Sequence, residues 1–485
     1  VALSVTTVGT VMAGVDARIV LVGLPTIAVQ LHSGVAELLW ITQAYLLAET
    51  VGLLFIGRTA DLFGRVKIYN YGFVIFTVGS ALAAASFNSF ELISSRMVQG
   101  LGSAMMISNA AAILTDATPR GELGKILGLN SIAFRAGTIT GLTLSGVILS
   151  IADWRALFYI NIPIGIFGTV WAHYRLKETA VKDTYRGMDW IGFILFSSGL
   201  ALVLLAITYL SFGLTGYSLG LPMLGVGLVL TLFFVYYELR GKMSSRPLLD
   251  MSLFRIKEFA GGSLVMMINA LAWSGVMIMV SLYLQIALNK TPLQTGLALL
   301  ALDSTLIFSA PLSGRLSDRY GSRIFVMSGI AISSLSFLIF GLFVTPSSNS
   351  LPVILIGLAV LGVGSGMWVS PNISSIMGSV PANRRGIASA FRMTMGNVGD
   401  TLSFGVAILL MTIVIPYGAL NSLIGSYSTP GAILMDKTQF VHGFQLVALV
   451  FAVVNATAIW PASFAKKKLA PEISPADKRK TAISD

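Results

Sequence analysis

The chain has 485 residues, 55% of them hydrophobic and 11% charged, with a formal net charge of +11 and a mean hydropathy of +0.83. A soluble domain carries about 25% charged residues, so this composition excludes a water-exposed fold and points to a bilayer as the solvent. With no cysteine, disulfides, thiolate metal sites and cysteine nucleophiles are excluded. His32, His173 and His442 lie far apart near the ends of apolar runs, so no metal site is expected.

A membrane-crossing helix needs ~20 largely apolar residues. In chain order the sequence predicts spans near 5–29, 38–57, 68–87, 91–114, 125–150, 156–174, 190–211, 217–238, 260–287, 295–314, 324–345, 352–378, 387–415 and 439–462. The first run begins almost at Val1; it is too long, and too polar at its centre, for a cleaved signal peptide. The missing initiator Met points to a trimmed N-terminus.

With the N-terminus inside, 25 Lys and Arg fall in inside loops and the tail, and three (Arg155, Lys290 and Lys437) fall outside. Basic residues favour the cytoplasmic side, so both termini are expected there. The six basic residues from Lys466 to Lys480 suit a tail resting on anionic lipid, and nucleic acid is not an expected partner.

Gly57-Arg58-Thr59-Ala60-Asp61-Leu62-Phe63-Gly64 follows the second span, and Gly314-Arg315-Leu316-Ser317-Asp318-Arg319-Tyr320-Gly321 follows the tenth, at an offset of 257 residues. The same offset carries Ala133-Phe134-Arg135 onto Ala390-Phe391-Arg392. Two matches in one register argue for internal duplication. The expected architecture is therefore all-α with 14 transmembrane helices: a six-helix bundle over 1–180, two inserted helices over 181–250, a homologous six-helix bundle over 251–465, and a basic tail over 466–485. Parallel repeats of this kind hold their site between the halves near the membrane midplane.

These segments resemble the major facilitator superfamily. The loop from Gly57 to Lys67 is similar to its signature between spans 2 and 3, and Arg96 with Gln99-Gly100 is similar to its fourth-span motif. Asp153-Trp154-Arg155 through Asn161-Ile162-Pro163 and Gly165, with Asp16 through Pro25-Thr26-Ile27, resembles the fourteen-span drug:proton antiporter branch. The span-5 segment has Leu142 where that branch carries Pro, and the span-1 segment has Arg18 where a small polar residue is usual. The resemblance implies alternating access and export driven by proton entry from a prokaryotic plasma membrane, without a cofactor and as a monomer.

Eight ionisable residues fall within spans: Asp16, Glu49, Asp303, Asp400, Arg18, Arg96, Arg135 and Arg392. Each charge at a helix centre costs roughly 2.5–3.5 kcal/mol, so most must pair or face a watery cavity. A carboxylate shielded from water holds a proton more tightly, and a nearby guanidinium releases it. Asp16 reads as a proton-binding carboxylate or as half of a structural pair with an arginine. Arg18, two residues on, sits on nearly the opposite helix face, and Arg96 takes a proton-coupling role from the resemblance. Asp303 reads as a proton or substrate group, and Glu49 as a functional acid or a buried neutral one. Asp400, two turns beyond Arg392, suits either a local bridge with it or a functional role.

Arg135 and Arg392, equivalent in the two halves, would bind an anion if they faced a central cavity. Gly57, Arg58, Asp61, Gly64 and Arg65, with Gly314, Arg315, Asp318 and Gly321, form a conformational latch by resemblance. Gly137, Gly141, Gly146 and Pro371 read as helix-packing or hinge positions. Trp40, Trp154, Trp171 and Trp190 sit at span ends like an aromatic belt.

The leading function is a proton-coupled exporter of lipophilic or cationic compounds. The alternative is a carrier of an anionic metabolite using Arg18, Arg135 and Arg392. No Ser-His, Cys-His or phosphate-loop constellation supports an enzyme.

Overall fold

The computed structural model describes residues 2–118, 123–178, 189–240, 251–381, 385–425 and 437–465. The helices are α1 (Ala2–Gln30), α2 (Val35–Phe63), α3 (Arg65–Ala84), α4 (Ser89–Ala117), α5 (Leu123–Ile151), α6 (Ala156–Tyr159), α7 (Asn161–Arg175), α8 (Trp190–Leu210) and α9 (Leu214–Arg240). They continue as α10 (Lys257–Leu282), α11 (Pro292–Tyr320), α12 (Ser322–Phe343), α13 (Leu351–Ser379), α14 (Arg385–Val414), α15 (Tyr417–Gly425), α16 (Lys437–Thr457) and α17 (Ile459–Ala462).

Helices α1 to α7 pack on one another, α10 to α17 do the same, and each set repeats the other's contacts. α1 lies on α5 as α10 lies on α14. α4 packs on α2 and α3 as α13 packs on α11 and α12. The seam between the sets is made chiefly by α5 on α11 and α2 on α14, and the α8/α9 hairpin leans on α2 and α14.

The duplicated loops break the helices identically. Gly64 ends α2 at φ 109° and Gly321 ends α11 at φ 90°, each N–H donating back to a carbonyl four residues earlier, of Ala60 and Ser317. Only glycine adopts such φ without strain. At the opposite end α4 begins on Asn88, whose side chain accepts from Glu91 N. α11 there begins with a capping box of Thr291 and Gln294 around Pro292.

The protein is an all-helical integral membrane protein. Of the fourteen crossings expected, twelve are met among the described residues, where twelve helices are long and apolar enough to span a bilayer. Helices stand at the remaining two expected places. They are α2 and α5, each of 29 residues, and both carry side chains that lie outside the described residues. One expectation is corrected at Trp154. It is fully buried, edge-on to Phe158 with Arg155 over its ring at 4.5 Å, so it pins the α6 turn and does not face lipid headgroups. Trp190, by contrast, is exposed.

Candidate functional site

Small residues bring the first bundle together. A Cβ on Gly137 would stand 2.5 Å from the Val11 carbonyl oxygen, and one on Gly141 2.5 Å from that of Val15, so both glycines let α5 lie against α1. Gly100 does the same for α4 and α2, since its Cβ would stand 2.3 Å from the Tyr45 oxygen, and Gly102 seats α4 on Phe76 of α3. Gly146 works across the seam, against the Pro292 oxygen at 2.7 Å. Pro371 is buried within α13.

This close packing encloses a polar knot. Arg96 Nη1 donates to Asp16 Oδ2 at 2.5 Å and to Gln99 Oε1 at 2.8 Å, and Arg96 Nε donates to the Ile41 carbonyl at 3.3 Å. Asp16 Oδ1 accepts from Asn161 Nδ2 at 2.8 Å and Gln99 Nε2 at 3.3 Å, and Gln99 also donates to Ser80 Oγ at 2.7 Å. The guanidinium lies 4.2 Å over the Tyr45 ring and 5.8 Å over Phe158. With side chains 2% and 0% exposed, this is a desolvated ion pair whose lone pairs and protons are largely met, the condition for such a pair to be tolerated.

One turn further along α2, Tyr45 OH donates to Ser103 Oγ at 2.9 Å, and Ser103 Oγ to Glu49 Oε2 at 3.0 Å. Glu49 Oε1 accepts from Asn397 Nδ2 of α14 at 2.8 Å, across the seam.

Arg18 faces the other way. Both its terminal nitrogens donate to Ser274 Oγ of α10 at 3.3 Å, and Nη2 stands 3.7 Å from Asp400 Oδ1 of α14. Ser274 Oγ in turn donates to Asp400, and the guanidinium lies 4.6 Å over Trp273. Asp400 is thus tied to the first bundle.

Between the bundles Arg18, Thr138, Trp273, Leu302, Asp303 and Leu306 line a cavity. It is small, with room for one or so waters. Asp303 is buried, and among the described residues its Oδ2 has no hydrogen-bond partner.

The sequence-predicted acids therefore fall into two groups. Asp16 and Glu49 join one hydrogen-bonded knot with Arg96. Asp303 and Asp400 meet around Arg18. Arg392 is half-buried on α14 and is not part of either group as described.

The side chains of Gly57, Arg58, Asp61 and Arg135 lie outside the described residues. Arg65 pairs with Asp116 of α4 at 2.8 Å. Asp318 and Arg315 are exposed, and among the described residues neither makes an ion pair. Gly314 lies against Ser370 Oγ. Trp273 lines the cavity, whereas Trp368, Phe391, Met277 and Met279 are buried packing residues.

Asn161, Gln99, Ser103, Ser274 and Asn397 were not expected among the site residues. Their signal was weak: single neutral polar residues in apolar runs, at positions facing a charge.

The family profile described as "Major Facilitator Superfamily" matches residues 6–249 and 262–483. The riboflavin transporter RibZ of Clostridioides difficile (strain 630) is 29% identical over 83% of this chain and 86% of its own. The tetracenomycin C resistance and export protein of Streptomyces glaucescens is 28% identical over 83% of this chain and 74% of its own. Among solved structures, a bacterial homologue of the human lysosomal transporter Spinster, inward-facing and unoccupied, superposes with a TM-score of 0.66 at 14% identity, covering 97% of this chain and 98% of that one. With its all-helical fold of two repeated bundles and a profile match along most of its length, the chain belongs to the major facilitator superfamily.

Proposed function

We propose that this protein is a proton-coupled antiporter that exports lipophilic, cationic compounds by alternating access. Its two six-helix bundles move about the seam, the α8/α9 hairpin rides between them, and both termini are cytoplasmic. The segregation of Lys and Arg supports that orientation. Fourteen crossings follow if α2 and α5 are counted. Each has 29 residues, about 43 Å at 1.5 Å per residue, and each packs along a candidate span, α4 or α1.

One observation carries the choice of substrate. In the cavity between the bundles the cation Arg18 is offset by Asp400, while the Asp303 carboxylate has an open oxygen beside Trp273. A lipophilic cation suits that pairing of negative charge and aromatic face once the bundles part, because the closed cavity has room for about one water. Asp16 is assigned the proton: protonating it dissolves the pair with Arg96, and a charge moved across the membrane is worth about 2.3 kcal/mol per 100 mV. The drug-export relative supports export, and the riboflavin relative leaves room for a different cargo. An anionic substrate remains the second reading because Arg18 lines the cavity, but it would have to displace Asp400.

The test is transport by the full chain in proteoliposomes under an imposed pH gradient, with ethidium and p-aminohippurate in parallel. Ethidium should move against proton flow, and Asp16→Asn or Asp303→Asn should abolish that movement. Movement of p-aminohippurate that depends on Arg18, without ethidium movement, overturns the reading.

A further inference from the structure

We propose that Glu49 is a second proton-carrying group, set on the seam between the bundles, and that loss of its proton opens the seam. The contrast with Asp16 is the starting point. Asp16 has its counter-cation in Arg96. Glu49, 5% exposed, meets only neutral donors, Ser103 from its own bundle and Asn397 from the other.

The surroundings of Glu49 hold no spare cation. On α2, Tyr45 is one turn away. From α4, Arg96 stands on the face of the Tyr45 ring and is engaged by Asp16 of α1. From α14, Asp400 adds a negative charge that is itself paired with Arg18. The α3 charges Arg65 and Lys67 sit at the Gly64 end, where Arg65 meets Asp116. α8 brings no acid or base between Trp190 and Thr208. Among the described residues no cation is within ion-pair distance of Glu49. A bare charge at such depth is costly, so the closed seam selects the protonated acid.

The hydroxyls make this workable, because their hydrogens rotate. Ser103 donates to an ionised Glu49 or accepts from a protonated one. When the proton leaves for water, the product is a carboxylate and a hydronium, and the carboxylate demands further water or a cation. Only parting α14 from α2 at Asn397 supplies either. Proton occupancy of Glu49 is thereby tied to the position of the second bundle, a coupling that Asp16, enclosed within the first bundle, does not make directly.

This inference borrows from the carrier reading only the idea that the bundles move, and its test contains no substrate. Because the chain has no cysteine, spin labels go on Phe63→Cys of α2 and Tyr320→Cys of α11, exposed and equivalent positions on the two bundles. Their separation is measured in lipid nanodiscs as pH is raised. The wild-type background should show a shift to longer separation, and Glu49→Gln, which accepts and donates but cannot ionise, should lose that shift. Glu49→Asp should keep the shift while moving the protonated-carboxyl infrared band, a check available even if Glu49→Gln does not fold.

No pH-dependent separation in the wild-type background overturns the proposal without any variant. So does a Glu49→Gln protein that opens as the wild type does, or an infrared band unmoved in Glu49→Asp. Failure of ethidium transport leaves this result untouched, and the two readings fail separately.

Discussion

Asp16 and Arg18 stand two residues apart on α1 and look into different parts of the molecule. The carboxylate points into the first bundle, to Arg96, Gln99 and Asn161, while the guanidinium points across the seam to Ser274 and Asp400. A helix turns about 100° per residue, so neighbours at this spacing serve opposite faces. One helix therefore carries both the closed knot of its own bundle and a link to the other.

The link should be measurable as a coupling energy. Arg18→Ala and Asp400→Ala each remove a charge-assisted contact, worth about 1.5–3 kcal/mol. Both side chains keep some exposure, 13% and 20%, which favours the lower end. The double variant should lose less than the sum of the two, as residues in contact do. Thermal unfolding in detergent, followed through tryptophan fluorescence, reads all four proteins; strict additivity would show that the 3.7 Å approach contributes nothing.

The knot should respond more strongly. Arg96→Ala strands the Asp16 carboxylate in a dry site, and breaking a buried pair this way costs about 3–5 kcal/mol. Arg96→Lys keeps the charge but not the forked donation to Asp16, Gln99 and the Ile41 carbonyl, nor the flat stacking on Tyr45. Its stability should fall between wild type and Arg96→Ala. Equal stability of Arg96→Lys and wild type would mean that charge alone matters there.

How far the sequence disclosed this site depended on the kind of residue. Charges in apolar runs are conspicuous, so Asp16, Glu49, Asp303, Asp400, Arg18 and Arg96 were all legible as candidates. Their pairing was not, because it depends on which helices meet: Asp400 meets Arg18, 382 positions earlier in the chain. Neutral partners such as Asn161 and Asn397 were hidden for another reason, since an amide in a membrane helix is common and its value comes from what it faces. The repeat was legible because Gly64 and Gly321 answer a local need for positive φ, and local needs are written locally.

The glycine of the Gln99-Gly100 pair gives a stability prediction independent of charge. In Gly100→Ala the new Cβ would meet the Tyr45 backbone oxygen at 2.3 Å. Backbone cannot swing aside as a side chain can, so α2 and α4 must part, at a cost of about 1–3 kcal/mol. Gly225→Ala on α9 is the control: nothing stands within 4 Å of its Cβ, and alanine is the better helix former by about 1 kcal/mol. The first variant should unfold at lower temperature and the second at an equal or higher one.

The opposite end of the seam offers a separate test. α2 begins at Gly34, which has no side chain to cap the free N–H groups of its first turn. The second bundle supplies the cap: Val35 N donates to Asn421 Oδ1 at 2.9 Å and Ala36 N to Tyr417 OH at 3.3 Å, both on α15. Gly34 leaves room for this, since its Cβ would stand 2.5 Å from Asn421 Oδ1. Asn421→Ala should therefore cost about 1 kcal/mol, as loss of an N-cap does, and should loosen the seal over the apolar space between Leu38 and Ile278. A cysteine at Ile278, otherwise 3% exposed, should then react faster with a membrane-impermeant maleimide. Asn421→Asp keeps the acceptor and adds a charge that suits a helix N-terminus, so its reactivity should stay at the level of the parent. If Asn421→Ala leaves labelling unchanged, the contact caps α2 without holding the bundles together.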